Sequence, residues 1–373
     1  MLNYIDGKLG DIIELLYGKG LPENRRIFGN YPVIGSGGIV GYHNEYLCEG
    51  PGIIIGRKGS IGTIQYIKDN YFPIDTVFYV KPKIKTMPVK YIYYLLSQLN
   101  LKSLNTDAAV PGLNREVALS QNVKYLEQEI EQQKVTKILS NYDDLIENNN
   151  KRIKILEEMA QKIYKEWFVD FKYPGHETVT FKDTELGKIP SDWDIKTLDN
   201  FCNIFTGKKN ANAAVNKGMY KFFTCAPDPL SIDTYIYDGK AIIIAGNGSY
   251  TGRTQFFDGK FDLYQRTYAC TLQDSYDEYL IYALFMIMKE KFEKKVMGGM
   301  HGAAIPYIVY DDIAKYSFAY NDNIFTNFSM IMKIYIESIF LLKQKNIQLK
   351  QTRDLLLPRL LSGEIDVEHM EIN

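Results

Sequence analysis

Two kinds of hydrophobic patterning alternate along this chain. Over residues 1–122, and again over 173–322, apolar residues come in short runs bounded by glycine and aromatic positions. That is the pattern of strands joined by turns. The clearest runs are Gly52-Ile53-Ile54-Ile55-Gly56 and Ala241-Ile242-Ile243-Ile244-Ala245, where β-branched residues between small ones predict buried strands. A helical patch follows each set (residues 89–101 and 279–295). Next come a Val110-Pro111 or Ile305-Pro306 turn and a short closing segment.

The segments after each strand-rich region read differently. Residues 127–171 contain no Pro or Gly. Within them Ile138, Tyr142, Leu145, Asn149, Ile153, Leu156, Ala160, Ile163 and Trp167 recur at spacings of three and four, a helix with a coiled-coil seam. Residues 324–361 repeat the pattern through Tyr335, Ile339, Leu342, Asn346, Leu349, Arg353, Leu356 and Leu360. At roughly 1.5 Å per residue each helix would be about 55–65 Å long. A lone helix of that length with one apolar stripe needs a partner, and the other stripe in the same chain can supply it. Asn149 and Asn346 interrupt the seams, either as buried amides that fix register or as residues at a solvated edge.

The strand-rich regions are copies of each other. Leu9, Gly18, Lys19, Gly29, Tyr31, Tyr46, Gly50, Ile53–Ile55, Gly59, Ser60, Phe72 and Tyr79 recur at a constant offset. Their counterparts are Leu198, Gly207, Lys208, Gly218, Tyr220, Tyr235, Gly239, Ile242–Ile244, Gly248, Ser249, Phe261 and Tyr268. Such an offset marks a duplicated domain. The expected fold class is an α/β (α+β) tandem repeat with a pseudo-twofold plan. Two strand-rich domains, 1–122 and 173–322, are separated by two long helices, 123–172 and 323–373, that form an antiparallel coiled coil.

Composition is globular, with 46% hydrophobic and 24% charged residues. The formal net charge of -1 argues against a protein that grips phosphate alone. Residues 1–122 carry 13 basic against 10 acidic side chains, and residues 173–322 carry 16 against 19. Partners would therefore share any phosphate contact. Cys48, Cys202, Cys225 and Cys270 form no CxxC pair, so a zinc or disulfide framework is not expected. Reduced thiols, a start without signal-peptide character and no long uninterrupted apolar run predict a cytoplasmic protein without a membrane span.

Catalytic patterns fail one by one. In Gly35-Ser36-Gly37-Gly38-Ile39-Val40-Gly41 the third glycine of a dinucleotide loop would fall at Val40, so a glycine-rich hairpin fits better. Gly207-Lys208-Lys209 lacks the spacing and hydroxyl of a phosphate-binding loop. There is no Asn/Asp-Pro-Pro-aromatic tetrapeptide of the kind that holds a flipped base, and His43, His176, His301 and His369 stand alone. No enzyme activity, cofactor or metal is expected of the chain itself.

Binding candidates lie where each Ile run meets a polar turn. These are Arg57-Lys58-Gly59-Ser60 in the first copy and Gly246-Asn247-Gly248-Ser249, with Arg253 beyond it, in the second. Glycine lets a backbone approach a ligand closely, Arg and Lys suit guanine edges, and Asn suits adenine. The scaffold positions match while the tips differ, as expected of two readers of different words. Lys19 in the first copy, and Lys208 with Lys209 in the second, could hold phosphate. The late-proline segment adds Asn114, Arg115 and His301. For each residue taken singly, an ordinary solvated loop side chain is the competing reading. A coiled-coil adaptor with protein- or sugar-binding repeats, and a hydrolase with an unrecognised site, are the readings from other classes.

Three segments carry a resemblance. Ala160-Gln161-Lys162-Ile163-Tyr164-Lys165-Glu166-Trp167-Phe168-Val169-Asp170-Phe171 and Leu357-Pro358-Arg359-Leu360-Leu361-Ser362-Gly363-Glu364-Ile365 stand at the ends of the two helices. Glu185-Leu186-Gly187-Lys188-Ile189-Pro190-Ser191-Asp192-Trp193 opens the second domain, an opening the first domain lacks. Together, and in this order, they resemble the specificity subunit of type I restriction-modification systems; the recognition subunit of another restriction-modification type is a close variant. The resemblance implies a non-catalytic reader of double-stranded DNA with two target recognition domains, one for each part of a bipartite site. The helices would set the gap and dock two methyltransferase subunits. Those subunits would bind S-adenosylmethionine to methylate adenine, and restriction or motor subunits would bind ATP.

Overall fold

The structure, a computed structural model, describes residues 2–104, 112–296 and 306–369. The chain divides into two compact units, Met1–Asn148 with Asn346–Asn373, and Asn149–Lys345.

In the first unit the Ile run forms the strand Gly52–Gly56, flanked by Ile64–Ile67 and Val77–Pro82, with Ile13–Tyr17 outermost. A separate sheet holds Gly38–His43, Tyr31–Gly35 and Phe72–Pro73, the last two parallel. In the second unit the same strand order runs through one six-stranded sheet. Its strands are Cys202–Thr206, Thr267–Leu272, Tyr237–Ala245, Thr254–Leu263, Tyr220–Phe223 and Leu230–Ile232. Thr254–Leu263 lies antiparallel to the Ile strand along most of its length and parallel to Tyr220–Phe223 at its end. The first copy breaks this strand at Lys68-Asp69-Asn70, where the Asn70 side chain accepts the Gly50 N–H at 2.9 Å instead of continuing the ladder.

The matched glycines Gly18 and Gly207 explain themselves here. A Cβ at either would fall 2.1 Å from the Ile74 carbonyl oxygen or 1.7 Å from that of Leu263, so two backbones cross where no side chain fits. Each domain is closed by pairing its start with its end. Tyr4–Lys8 pairs with Asn122–Leu126, and Asp194–Thr197 with Ser317–Tyr320, just before a long helix begins.

Those helices are Glu129–Phe168 and Asp322–Ser362. In the first unit Val135 and Leu139 share a core with Leu357, Leu360 and Leu361. There Lys134 reaches the Glu368 carbonyl and Asp143 meets Arg353, so the two segments run antiparallel. In the second unit Lys343 meets Glu157, while Phe168 packs on Phe325 and Phe328, which is again antiparallel. By length and composition alone Asp322–Ser362 would suit a bilayer. Its Phe325, Phe328, Met332 and Ile336 are instead buried in the core of the second unit, with Trp193, Trp167 and Tyr282.

The seam needs one correction. Leu145 is 51% exposed, and its neighbour Ile146 is buried. Val135, Leu139, Tyr142, Ile146, Asn149 and Ile153 alternate four and three residues without a break, which keeps one stripe on one face. Ile138 and Leu145 lie on the flank of that stripe. Ile153 and Leu342 are buried, and Leu156, Leu349 and Leu356 are half-buried. Asn149 and Asn346, at 8% and 7% exposure, are not at a solvated edge.

Candidate nucleic-acid interface

In the first unit the Ile strand delivers the chain to a pinned turn. The Arg57 and Lys58 amides both donate to the Thr76 carbonyl, at 2.9 and 3.1 Å. Leu113 N–H donates to the Arg57 carbonyl at 2.9 Å, and Lys58 bridges to Gly112. Gly59 takes a φ of +75°, which L side chains avoid, and its match Gly248 takes +83°. Three stretches apart in sequence therefore meet: the turn after the Ile strand, the lead into Val77–Pro82, and the late segment.

Side chains at this meeting point are organised around Tyr17. Its ring, 52% exposed, lies 4.9 Å from the Arg57 guanidinium and 5.7 Å from that of Arg115. Arg57 also lies 5.9 Å from the Phe78 ring and donates to the Asp75 carbonyl at 3.0 Å. Stacking on aromatic faces holds a guanidinium plane while its edge remains able to donate. Lys19, Lys58 and Ser60 are exposed nearby in the chain. Asn114 has a local role as well: its side-chain oxygen accepts from the amides of Glu116 and Val117, at 2.9 and 3.2 Å, and so caps the helix Arg115–Leu119. Arg115 pairs with Glu116.

The second unit repeats the backbone and changes the chemistry. Gly246 N–H donates to the Arg266 carbonyl at 2.8 Å, Ile308 N–H to the Gly246 carbonyl at 2.9 Å, and Asn247 bridges to Tyr307. A Cβ at Gly246 would lie 2.3 Å from the Arg266 carbonyl oxygen, so no arginine can stand where Arg57 does. The side chains of this turn are Asn247 and Ser249, with Arg253 stacked 5.7 Å from Tyr250. Lys208 is exposed. His301 and the rest of the late segment before Pro306 lie outside the described residues, as does the Val110-Pro111 turn.

Lys209 has a local role too. Its ammonium donates to buried Asp262 at 2.8 Å and also meets Thr234, whose hydroxyl donates to the same carboxylate oxygen at 2.7 Å. It ties a loop to the sheet, with its ammonium already engaged by a buried carboxylate. Burial alone would raise the Asp262 carboxyl. Hydrogen bonds from Lys209, Thr234 and the Leu263 amide outweigh it and hold the carboxyl below its ordinary range. This contribution to stability is whole above the ordinary value of 3.8 and is lost as the pH falls below it, so the pair is intact at neutral pH. Asp262→Ala should cost about 1–3 kcal/mol, at the lower end because the Lys209 side chain is partly solvated. Hydrogen exchange checks this: protection should fall around Lys209 and Leu263 and stay unchanged in Gly52–Gly56.

Sequence reasoning missed Tyr17, Tyr250 and Tyr307. A tyrosine at the end of a strand beside a matched glycine, with Thr206 in its place in the other copy, was the available signal for Tyr17. Among the described residues no group of His, Cys, Asp and Glu is placed to hold a metal ion.

A duplicated strand-rich domain, each copy presenting a pinned polar turn and followed by a long helix, defines a two-headed reader. The family described as the type I restriction modification DNA specificity domain matches residues 2–158 and 190–351, and the chain belongs to that family. It is 26% identical over 307 residues to the type I restriction enzyme MjaIX specificity subunit of Methanocaldococcus jannaschii, covering 75% of this chain and 70% of that protein. It is 38% identical over 133 residues to the EcoDI specificity subunit of Escherichia coli, covering 36% of this chain and 28% of that one. The crystal structure of a type I restriction-modification S subunit from M. genitalium superposes with a TM-score of 0.67 at 16% identity, over 96% of both chains. That likeness is one of fold.

Proposed function

We propose that this chain reads a bipartite double-stranded DNA site for a type I restriction-modification complex, one domain per half. Residues 1–122 and 173–322 are the target recognition domains, and residues 123–172 and 323–373 form the spacer that also docks two methyltransferase subunits. The observation that carries the reading is the turn after the Ile strand: in both copies its first residue donates its amide to a carbonyl beside the next strand and accepts an amide from the late segment, with Arg57-Lys58 in one and Gly246-Asn247 in the other. One frame holding two chemistries suits two different half-sites. The near-neutral charge fits a reader whose methyltransferase partners share the phosphate contacts.

The chain contributes no turnover of its own in this reading. S-adenosylmethionine and ATP belong to the methyltransferase and the restriction or motor subunits, and the complex works in the cytoplasm. Co-expression with the methyltransferase subunits, followed by methylome sequencing, tests the proposal; methylation without a two-part motif would refute it. Inserting one heptad into each long helix adds about 10 Å. The gap between the halves should then widen by about three base pairs with both half-sites unchanged. A constant gap in the methylome would remove the spacer role.

A further inference from the structure

Each unit contains a tyrosine–carboxylate bond that joins the domain to the long helix following it. In the first unit Tyr94, on the helix Val89–Gln98 and 1% exposed, donates its hydroxyl to Asp143 at 2.6 Å. Asp143 lies on Glu129–Phe168, about four turns from its start. The other Asp143 oxygen accepts from Arg353 on the second long helix at 2.6 Å, and Lys90 stands 3.8 Å away. In the second unit Tyr282, on the helix Leu280–Ile287 and fully buried, donates to Glu337 at 2.6 Å. Glu337 also lies about four turns into its helix, Asp322–Ser362.

Neither bond could be picked out from the sequence, where Tyr94 is one of 29 tyrosines and Asp143 lies within a run of ordinary acidic positions. Yet both copies join a tyrosine of the short helix to a carboxylate about four turns into the long one. Burial, and then the facing carboxylate, push both phenols up, so each hydroxyl remains a donor. Aromatic rings pack beside both bonds, Tyr93 and Tyr66 near the first and Phe256 near the second, and in the first unit Lys90 and Lys68 add ion pairs to Asp143, Asp144 and Glu147. Apolar packing resists separation but permits sliding, whereas a short charge-assisted bond between two rigid helices allows one register.

We infer that Tyr94–Asp143 and Tyr282–Glu337 are positioning contacts that fix the angle at which each domain is carried on its long helix. This rests on the bipartite reading proposed above. Its consequence is sharpness of spacing: with the angle fixed, a half-site displaced by one base pair is out of reach of its turn.

The test uses the full chain co-expressed with its methyltransferase subunits and a plasmid library. The library carries the native half-sites at the native spacer and at spacers one base pair longer and shorter, with methylation read by sequencing. Tyr94→Phe and Tyr282→Phe keep the ring and remove only the donor. Each should leave native-spacer methylation within a few-fold and raise the ratio of off-length to native methylation about tenfold, the scale of one charge-assisted hydrogen bond. Glu337→Gln, which retains an acceptor oxygen without its charge, should raise the ratio less than Tyr282→Phe does, and Glu337→Ala should match Tyr282→Phe. Sharp wild-type spacing with an unchanged ratio in both phenylalanine variants overturns the inference alone. A uniform loss at every spacer also overturns it, since it marks a merely structural role. Wild-type methylation with no fixed spacer overturns the bipartite reading, and this inference with it. The two tyrosines lie in separate units, so a folding failure in one variant leaves the other to decide.

Discussion

Exchanging the first domain for that of another family member should rewrite one half of the methylated site and leave the other half unchanged. The expectation follows from how the first domain is closed. Its start pairs with its own end, Tyr4 opposite Leu126 through Lys8 opposite Asn122, and its turn is pinned by its own Thr76 and Leu113. A junction after residue 122 would part four of those five paired positions from their native partners. A junction after Leu126 keeps the five paired positions together and should give better-folded chimeras. The incoming domain must also accept Val135, Leu139 and Asp143, which the long helix presents to it. Methylome sequencing of a host carrying the exchange gives the answer. Changes in both halves, or in neither, would remove the modular reading.

The second large effect should come from Arg57. Its guanidinium is held by the Tyr17 face and the Asp75 carbonyl, so its position is fixed before DNA arrives. A preorganised bidentate donor to a base edge discriminates by about 1–3 kcal/mol, or roughly 5- to 150-fold. Arg57→Ala should therefore lower modification by that factor and relax one position of the first half-site, with the second half read as before. Arg57→Lys should rescue little, because an ammonium neither stacks on Tyr17 as a plane nor donates as a fork. Methylation rates on sites carrying each base at every first-half position make the check. A uniform loss across bases would mark Arg57 as a phosphate contact instead.

Much of this was legible because duplication exposes what a scaffold cannot change. Gly18 and Gly207 match since backbones cross there, Gly59 and Gly248 since both take positive φ, and the Ile runs since both are buried central strands. The long helices were legible from periodicity, but the periodicity admitted two neighbouring stripes, and packing chose Ile146 over Leu145. Side-chain roles were less visible. Lys209 and Asn114 have the chemistry of DNA contacts in sequence, yet a buried aspartate and two helix amides claim them. Those partners lie on other strands or in capping geometry that spacing does not encode. The meeting of Tyr17, Arg57 and Arg115 depended on long-range crossings of the same kind.

The lack of room at Gly246 bears on how such a protein can change its target. The Arg266 carbonyl that would meet a new side chain already accepts the Gly246 amide and the Cys225 thiol. Single substitutions at the second turn are thus confined to positions such as Asn247 and Ser249, and the first copy's arginine cannot be transplanted alone. New specificities that need it must arrive with their supporting carbonyl and aromatic platform, as an inherited block. Under the proposed reading, recombination between whole domains is then the accessible evolutionary route, and point mutation only a means of adjusting a word already in use.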